Sequence, residues 1–281
     1  KTRSNWGEVG TRSRHLASAL KSLGVIDGDI LGTISPNTID HLELLYAISG
    51  CGAVAHTINP RLFPDEIVFI INDAKDKILF VDTAYLPFLI GHRHLIPSVD
   101  HMYIVGPKKN EVAAKMNGFK FLEDLYTGSF PKLAWPEIDE DSAAVLCYTS
   151  GTTGNPKGVL YSHKSIVVHA NMISLPDYFG FSATDSLMPV TPMFHVNAWG
   201  ATYASAMVGS KLVLPGPNVN ASNLTRLINE EKVTVAIGIP TIWEELLTYL
   251  EENNANIKSL KRIFAGGAKV PDWMITMFAD Q

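Results

Sequence analysis

Residues 148–159 read YTSGTTGNPKGV and place hydroxyl side chains, glycines and one lysine within a single short loop. The hydroxyl groups and glycines are those of Thr149, Ser150, Thr152 and Thr153, and of Gly151, Gly154 and Gly158. Glycine allows backbone N–H groups to turn toward an anion, and the hydroxyls add further donors. Lys157 adds a full positive charge on a flexible side chain. The loop therefore predicts a site for a polyphosphate.

The position of the lysine distinguishes this loop from the Walker A loop. In Walker A, written GxxxxGK[ST], the lysine follows a glycine and precedes Ser or Thr. Lys157 instead follows Pro156, which has no backbone N–H to donate, and precedes Gly158. A P-loop kinase is therefore disfavoured. A solvated turn without a ligand is the alternative for any short glycine-rich match, but such a turn needs only one or two special residues.

The loop lies between two apolar runs, 143–147 and 158–161, that predict strands, and the same kind of pattern continues along the chain. Further strands are predicted at 30–35, 53–58, 77–81, 101–105, from 186, 211–214, 233–237 and 262–265. Helices are predicted at 6–23, 39–49, 65–71, from about 86, 163–173, up to about 208, 221–231, 242–251 and from 271. Residues 106–140 form a looser region. The alternation predicts an α/β fold with mostly parallel sheets flanked by helices.

The composition is that of an ordinary folded chain. Its 281 residues are 46% hydrophobic, which is enough for one large core or two smaller ones and argues against disorder. The net charge of −5 supplies no basic field for a nucleic-acid backbone, so no nucleic-acid partner is expected. Cys51 and Cys147 lie in apolar runs without metal-ligand spacing, and free thiols of this kind favour a cytoplasmic protein.

Residues 186–210 contain no Asp, Glu, Lys or Arg over a length that would cross a bilayer. Pro189, Pro192, His195 and Asn197 would leave polar groups unpaired in lipid, and glycines and serines make the remainder only weakly apolar. No transmembrane segment is therefore expected. The first ten residues are polar and charged, so they predict no secretory signal.

The loop YTSGTTGNPKGV closely resembles the signature loop of the adenylate-forming superfamily. That superfamily includes acyl-CoA synthetases, firefly luciferases and the adenylation domains of peptide synthetases. Its enzymes activate a carboxylic acid with ATP, release pyrophosphate, and pass the acyl group to a thiol or another acceptor. Residues 192–200, PMFHVNAWG, further resemble the branch of medium- and long-chain fatty acid–CoA ligases. The resemblance implies that the chain forms two α/β subdomains of a large N-terminal domain. By the same resemblance, the chain stops before the C-terminal domain.

The resemblance also implies roles for individual residues. ATP binding would involve Thr149, Ser150, Gly151, Thr152, Thr153, Gly154, Lys157, Val196, Trp199 and Gly267. Thr149 would bind Mg²⁺, Lys157 and His195 would be catalytic, and His195 and Gly238 would lie against the acid. A purely structural role is the alternative for three of them: His195 as a hydrogen-bonded core histidine, Trp199 as core packing, and Gly238 as a packing glycine at a strand end.

The segment around His195 also bears on the substrate. Peptide-synthetase adenylation domains carry an aspartate at the position of His195 to hold the substrate ammonium, because a desolvated cation needs a carboxylate. No Asp or Glu occurs in 186–210, so an apolar or neutral acid is expected, with CoA as acceptor. A short sulfur-containing or aryl acid, and luciferase-type oxidation, remain alternatives.

We expect a first subdomain at 1–141, with the acidic residues 137–141 as a linker at its end, and a second at 142–281 that carries the loop. In the superfamily the pattern continues past Gln281 to a Tyr-Gly-x-Thr-Glu motif and a mobile C-terminal domain, so the chain resembles an internal piece. Two interpretations stay open. The intact protein is a fatty acid–CoA ligase of which this piece alone is nearly inactive, or the chain is a nucleotide- or acid-binding fragment without turnover. A structural module without a ligand is disfavoured by Lys157, and the sequence does not indicate the oligomeric state.

Overall fold

A computed structural model describes residues 2–107, 119–149 and 155–279. The chain divides into two compact units, Lys1–Val167 and Val168–Gln281. Each unit has its own sheet and its own hydrophobic core.

The first unit is built on one sheet of seven strands. These are β1 (Ile30–Ile34), β2 (Val54–Thr57), β3 (Ile78–Asp82), β4 (His101–Val105), β5 (Lys120–Phe121), β6 (Ala143–Thr149) and β7 (Lys157–Ser162). They lie in the order β5-β4-β3-β1-β2-β6-β7, and every neighbouring pair is parallel except β6 and β7. The described helices are α1 (Trp6–Ser22), α2 (Ile39–Gly50), α3 (Pro64–Ala74), α4 (Leu86–His92), α5 (Leu122–Thr127) and α6 (His163–Ser174), the last of which contains the boundary between the units.

Local sequence explains where the first helix begins and which face it buries. The Asn5 side chain accepts a hydrogen bond from the Glu8 backbone N–H at 2.9 Å, and the Glu8 carboxylate accepts one from the Asn5 N–H at 3.1 Å. This reciprocal cap satisfies two donors that a helix start otherwise leaves unpaired. Val9, Leu16 and Leu20 share the buried face at helical spacing. The predicted helix at 6–23 is thus confirmed.

The second unit contains a smaller, wholly parallel sheet. Its strands are β8 (Ser186–Pro189), β9 (Lys211–Leu212), β10 (Val235–Gly238) and β11 (Arg262–Ala265), in the order β11-β10-β8-β9. Its other described helices are α7 (Ala201–Val208), α8 (Ala221–Glu231), α9 (Pro240–Glu252) and α10 (Asp272–Ala279). Because parallel neighbours need a crossover, helices alternate with the strands. The predicted α/β class with mostly parallel sheets is confirmed.

Two features differ from the sequence-based expectation. The looser region 106–140 contains β5 and α5, which are too short to give a readable period. The strands that flank the loop belong to the first unit, because β6 pairs in parallel with β2 and β7 pairs with β6. The two compact units therefore divide after Val167. The subdomain boundary expected between 141 and 142 concerns the domains of the whole protein and stays a prediction.

Two further expectations concern thiols and membranes. Cys51 and Cys147 are both free and buried, as predicted. Within residues 2–107, 119–149 and 155–279, no helix combines the length and the apolar character needed to cross a bilayer.

His41 on α2 is a fully buried histidine in the first unit. Its Nδ1 lies 3.1 Å from the Pro36 carbonyl oxygen and its Nε2 lies 3.0 Å from the Thr33 hydroxyl. A neutral ring that donates through Nδ1 and accepts at Nε2 satisfies both contacts. Burial lowers the pKa of His41 from 6.5 to about 4.

The free energy of unfolding is expected to fall between pH 6.5 and pH 4 because of His41. Since the pKa is lower in the folded state, the unfolded chain binds the proton first, and the stability present above pH 6.5 is lost as the pH falls toward 4. The loss attributable to this residue should be about 1 to 3 kcal/mol. Urea unfolding of the wild type and of His41→Gln across this range measures it. Equal pH dependence in the two proteins would contradict the assignment.

Candidate functional site

The strands on either side of the predicted phosphate-binding loop form an antiparallel hairpin. Thr149 at the end of β6 lies directly opposite Lys157 at the start of β7, and the Thr149 hydroxyl lies 3.5 Å from the Lys157 carbonyl oxygen. Both residues are exposed. Ser150, Gly151, Thr152, Thr153 and Gly154 lie outside the described residues. The fold therefore places a predicted metal ligand and the predicted cation side by side at the base of the loop.

Tyr148 precedes Thr149 and was not among the predicted site residues. Its hydroxyl donates a hydrogen bond to Asp73 on α3, with 2.6 Å between the oxygens. Burial, and then the hydrogen bond to Asp73, raise the pKa of Tyr148, so the hydroxyl keeps its proton. The end of β6 is thereby attached to a helix of the same unit.

In the second unit, the segment after β8 returns to the sheet at the end of β10. The backbone N–H groups of Val190 and Thr191 both donate to the Ile237 carbonyl, at 2.7 and 3.0 Å. Met193 and Phe194 are buried, so they pack in the core. His195 is exposed, unlike a core histidine, and its backbone N–H donates to the Pro192 carbonyl at 3.0 Å.

Residues 196–200 form a left-handed turn. The φ angles of Val196, Asn197, Ala198 and Trp199 are 48°, 48°, 54° and 55°, and that of Gly200 is 72°. Left-handed backbone costs roughly 1 to 2 kcal/mol per non-glycine residue, and a β-branched residue such as Val196 is least suited to it. Gly200 is required because a Cβ there would lie 2.5 Å from Nδ1 of His169. Strain of this kind is concentrated at functional segments.

The turn places the Trp199 indole against the backbone that follows β11. A Cβ on Gly266 would overlap Cη2 of Trp199 and lie 2.9 Å from its Cζ2. Gly267, the residue expected to contact ATP, has a φ of 85° that favours glycine. The Gly266 N–H donates to the Gly238 carbonyl at 3.3 Å. Trp199, Gly267 and Gly238 are thus brought together near the carboxyl ends of β10 and β11.

The space beside Gly238 is occupied by a buried aromatic ring. A Cβ on Gly238 would lie 2.6 Å from Cζ2 of Trp243, which is fully buried on α9. Packing alone therefore requires glycine at this strand end. A role for Gly238 in binding the acid stays a prediction, as do the roles of the other candidate residues.

The candidate residues of the second unit lie near the carboxyl ends of its parallel strands. In open α/β sheets, ligands bind outside the carboxyl ends of the strands. Thr149 in the first unit also lies at the carboxyl end of its strand, β6, which runs parallel to β2. Sequence reasoning found both groups but missed Tyr148, Asp73 and Gly266. Of these three, only Gly266 had a signal in the sequence, as a member of the glycine pair at 266–267.

Comparisons with known proteins identify the family to which the chain belongs. The family model described as AMP-binding enzyme matches residues 1–280. The chain is 45% identical over 280 residues to the 3-methylmercaptopropionyl-CoA ligase of Ruegeria lacuscaerulensis, covering 100% of this chain and 52% of that protein. It is 46% identical over 279 residues to the medium-chain-fatty-acid–CoA ligase of Ectopseudomonas oleovorans, covering 99% and 51%.

A solved structure of a Mycobacterium tuberculosis fatty acyl CoA synthetase superposes with a TM-score of 0.85 at 26% identity, over 100% of this chain and 52% of that one. The chain spans about half the length of the curated relatives it matches. The family model nevertheless covers nearly every residue. The chain therefore belongs to the family of AMP-binding enzymes.

Proposed function

We propose that the protein containing this chain is an AMP-forming acid–thiol ligase, which activates a fatty or other apolar carboxylic acid with ATP and transfers it to CoA. The pairing of Thr149 with Lys157 across the hairpin is the observation that carries this proposal. A hydroxyl and an ammonium at the base of one glycine-rich loop suit a polyphosphate. The family and the activities of these relatives support the same reaction.

The proposed reaction has two displacement steps. A carboxylate oxygen attacks the α-phosphorus of ATP, the bond to the bridging oxygen breaks, and acyl-AMP and pyrophosphate form. The CoA sulfur then attacks the acyl carbon, the thiol loses its proton, and AMP leaves. The first step brings an anion toward a polyanion, so the positive charge of Lys157 lowers the barrier by offsetting the repulsion. Neither step needs a nucleophile from the protein.

The Thr149 hydroxyl is an oxygen ligand of the kind that suits Mg²⁺. No group of three His, Cys, Asp or Glu side chains that would hold a metal occurs in the described part of the chain. Mg²⁺ usually keeps several waters and binds through one or two protein carboxylates together with substrate phosphates, and the exposed Thr149 hydroxyl would add one protein oxygen to that set. When bound, the ion would neutralise charge on the phosphate oxygens.

The acid is proposed to be apolar because residues 186–210 contain no carboxylate that would hold an ammonium. The similarity to a medium-chain-fatty-acid–CoA ligase supports a fatty acid. A short sulfur-containing acid is the second candidate, because a relative of nearly equal identity is a 3-methylmercaptopropionyl-CoA ligase.

We also propose a cytoplasmic location, no nucleic-acid partner, and a second subdomain that begins near residue 142. The free, buried state of Cys51 and Cys147 is compatible with a reducing compartment. The acidic residues before 142 contact α6, the helix that follows the loop strands, since the Lys164 ammonium lies 2.5 Å from the Glu140 carboxylate. A linker at this position therefore stays within the first unit.

Acid-dependent exchange of pyrophosphate into ATP tests the proposal directly. We expect exchange by the full-length protein with a medium-chain fatty acid or with 3-methylmercaptopropionate, and weaker exchange with an aryl acid. The 281-residue chain alone should bind ATP but exchange little. No exchange by the full-length protein with any of these acids would overturn the ligase proposal. Full activity of the isolated chain would contradict the expectation for the fragment.

A further inference from the structure

A histidine and an aspartate are fully buried together in the first unit. Nδ1 of His56 on β2 lies 2.8 Å from Oδ2 and 3.1 Å from Oδ1 of Asp76, and neither side chain is exposed. Nδ1 is therefore the ring nitrogen that shares a hydrogen bond with the Asp76 carboxyl group. Nε2 of His56 is buried with no hydrogen-bond partner among the described residues. A buried polar pair of this kind is weak evidence for net stability, but removing one partner would leave the other buried and unpaired.

A glycine in the neighbouring strand makes room for this pair. Gly32 of β1 lies between His56 of β2 and Leu79 of β3 in the ladder. A Cβ on Gly32 would lie 3.0 Å from Oδ2 of Asp76 and 2.6 Å from Cδ1 of Leu79. The absence of a side chain at position 32 therefore lets the Asp76 carboxylate reach across the sheet to His56.

The His56 ring also contacts Tyr148, the last residue before the predicted metal ligand. Their ring centroids are 5.1 Å apart with an interplanar angle of 47°. The two side chains share a face of the sheet, since His56 lies opposite Leu146 and Tyr148 follows Leu146 by two residues. Asp76 thus fixes His56, and His56 packs against Tyr148.

Two more contacts restrict the Tyr148 ring. Its hydroxyl donates to Asp73 on α3 at 2.6 Å. Gly158 lies directly opposite in β7, and a Cβ there would lie 3.3 Å from Cζ of Tyr148. The ring therefore lies over the backbone of the residue that follows Lys157. Its neighbours come from α3, β2 and β7.

We infer that Tyr148 is a positioning residue for Thr149 and Lys157, oriented by Asp73 and by the buried His56–Asp76 pair. This inference rests on the proposed function. Tyr148 adjoins Thr149 at the entry of the loop, and its ring packs on Gly158 beside Lys157 at the exit. Fixing one ring therefore fixes the separation of the two residues that bind the phosphates. Tyr148 touches no substrate in this mechanism.

Tyr148→Phe in the full-length protein tests the inference, because it removes the hydroxyl and keeps the ring. We expect the KM for ATP to rise about five- to tenfold, the factor that corresponds to the net contribution of a typical intramolecular hydrogen bond. The KM for the acid and the melting temperature should stay close to the wild-type values. Asp73→Asn keeps an acceptor for the Tyr148 hydroxyl and should retain most of the wild-type affinity for ATP. Asp73→Leu removes the acceptor and should raise the KM for ATP as much as Tyr148→Phe does.

Tyr126→Phe is the matched control. The Tyr126 hydroxyl also donates a hydrogen bond to a carboxylate, that of Glu43, in the same unit. This contact involves neither Tyr148 nor the residues that orient it. An unchanged KM for ATP in Tyr148→Phe would overturn the inference, and so would an equal rise of that KM in Tyr126→Phe. Neither result would affect the proposed function as long as the wild-type protein forms acyl-AMP. Should Tyr148→Phe not fold, Asp73→Leu decides by the same measurement. A wild-type protein without adenylation would overturn both.

Discussion

Replacing Lys157 by alanine is expected to lower the rate of acyl-AMP formation by about 10²- to 10³-fold, the usual effect of removing one group that stabilises transition-state charge. Lys157 begins β7 opposite Thr149 and carries the full positive charge at the base of the loop. Because its side chain is exposed and its backbone pairing survives the substitution, the free energy of unfolding should stay within about 0.5 kcal/mol of wild type. Single-turnover formation of acyl-AMP by the full-length protein measures the loss.

Lys164→Ala is the matched control for this loss. Lys164 lies in the same unit, two residues after β7 ends, and its ammonium pairs with the exposed carboxylates of Glu140 and Asp141. Surface ion pairs contribute about 0 to 1 kcal/mol, so this variant should fold and turn over normally. Lys157→Arg should retain part of the rate, because it keeps the charge but not the compact ammonium. Unchanged turnover in Lys157→Ala would remove the basis of the proposed function.

The fold could be predicted from sequence where short-range patterns determine it. The helix expected at 221–231 and the strand expected at 262–265 coincide with α8 and β11. Both depend on the spacing of apolar side chains and on residues such as Asn220, whose side chain caps α8. The expected family is likewise confirmed by the family model, and it could be predicted because the loop alone specifies many positions. Local signals therefore gave the element types and the class of fold.

Pairing between distant strands could not be predicted in this way. Nothing near residues 143–149 shows that β6 pairs with β2 rather than with a strand of the second unit, since any buried parallel strand has the same apolar pattern. The His56–Asp76 pair depends on the register of three strands and on the gap beside Gly32. Such contacts join residues that are adjacent only after the sheet has formed.

The left-handed turn after His195 is a second feature that sequence did not predict. Gly200 and Asn197 tolerate positive φ, but Val196 and Trp199 do not favour it. The surrounding structure therefore determines this backbone, through the packing of Trp199 on Gly266 and of His169 against Gly200. Sequence reasoning selected Gly267 from the glycine pair by family resemblance. The structure shows that Gly266 is the one that Trp199 contacts.

Replacing Gly266 by alanine is expected to lower kcat/KM for ATP by about 10²-fold, as a displacement of about 1 Å near the reacting groups does. The new Cβ would overlap Cη2 of Trp199, and the backbone of Gly266 does not require glycine for its own conformation. The indole must therefore move, or the strained turn at 196–200 must relax. Either change displaces Val196 and Trp199, the residues expected to contact ATP. Steady-state kinetics of the full-length protein at saturating acid measures the effect.

Two variants separate displacement of Trp199 from general damage. Gly10→Ala adds the same methyl group to α1, where a Cβ meets nothing within 4 Å, and should leave kcat/KM unchanged. In Gly266→Ala/Trp199→Phe, the overlapping benzo-ring atoms of the indole are absent, so the double variant should recover activity relative to Gly266→Ala although it loses indole contacts. If the double variant is additive instead, the loss does not come from the overlap. In that case the turn at 196–200 is not what positions the nucleotide, and packing at Gly266 serves stability alone.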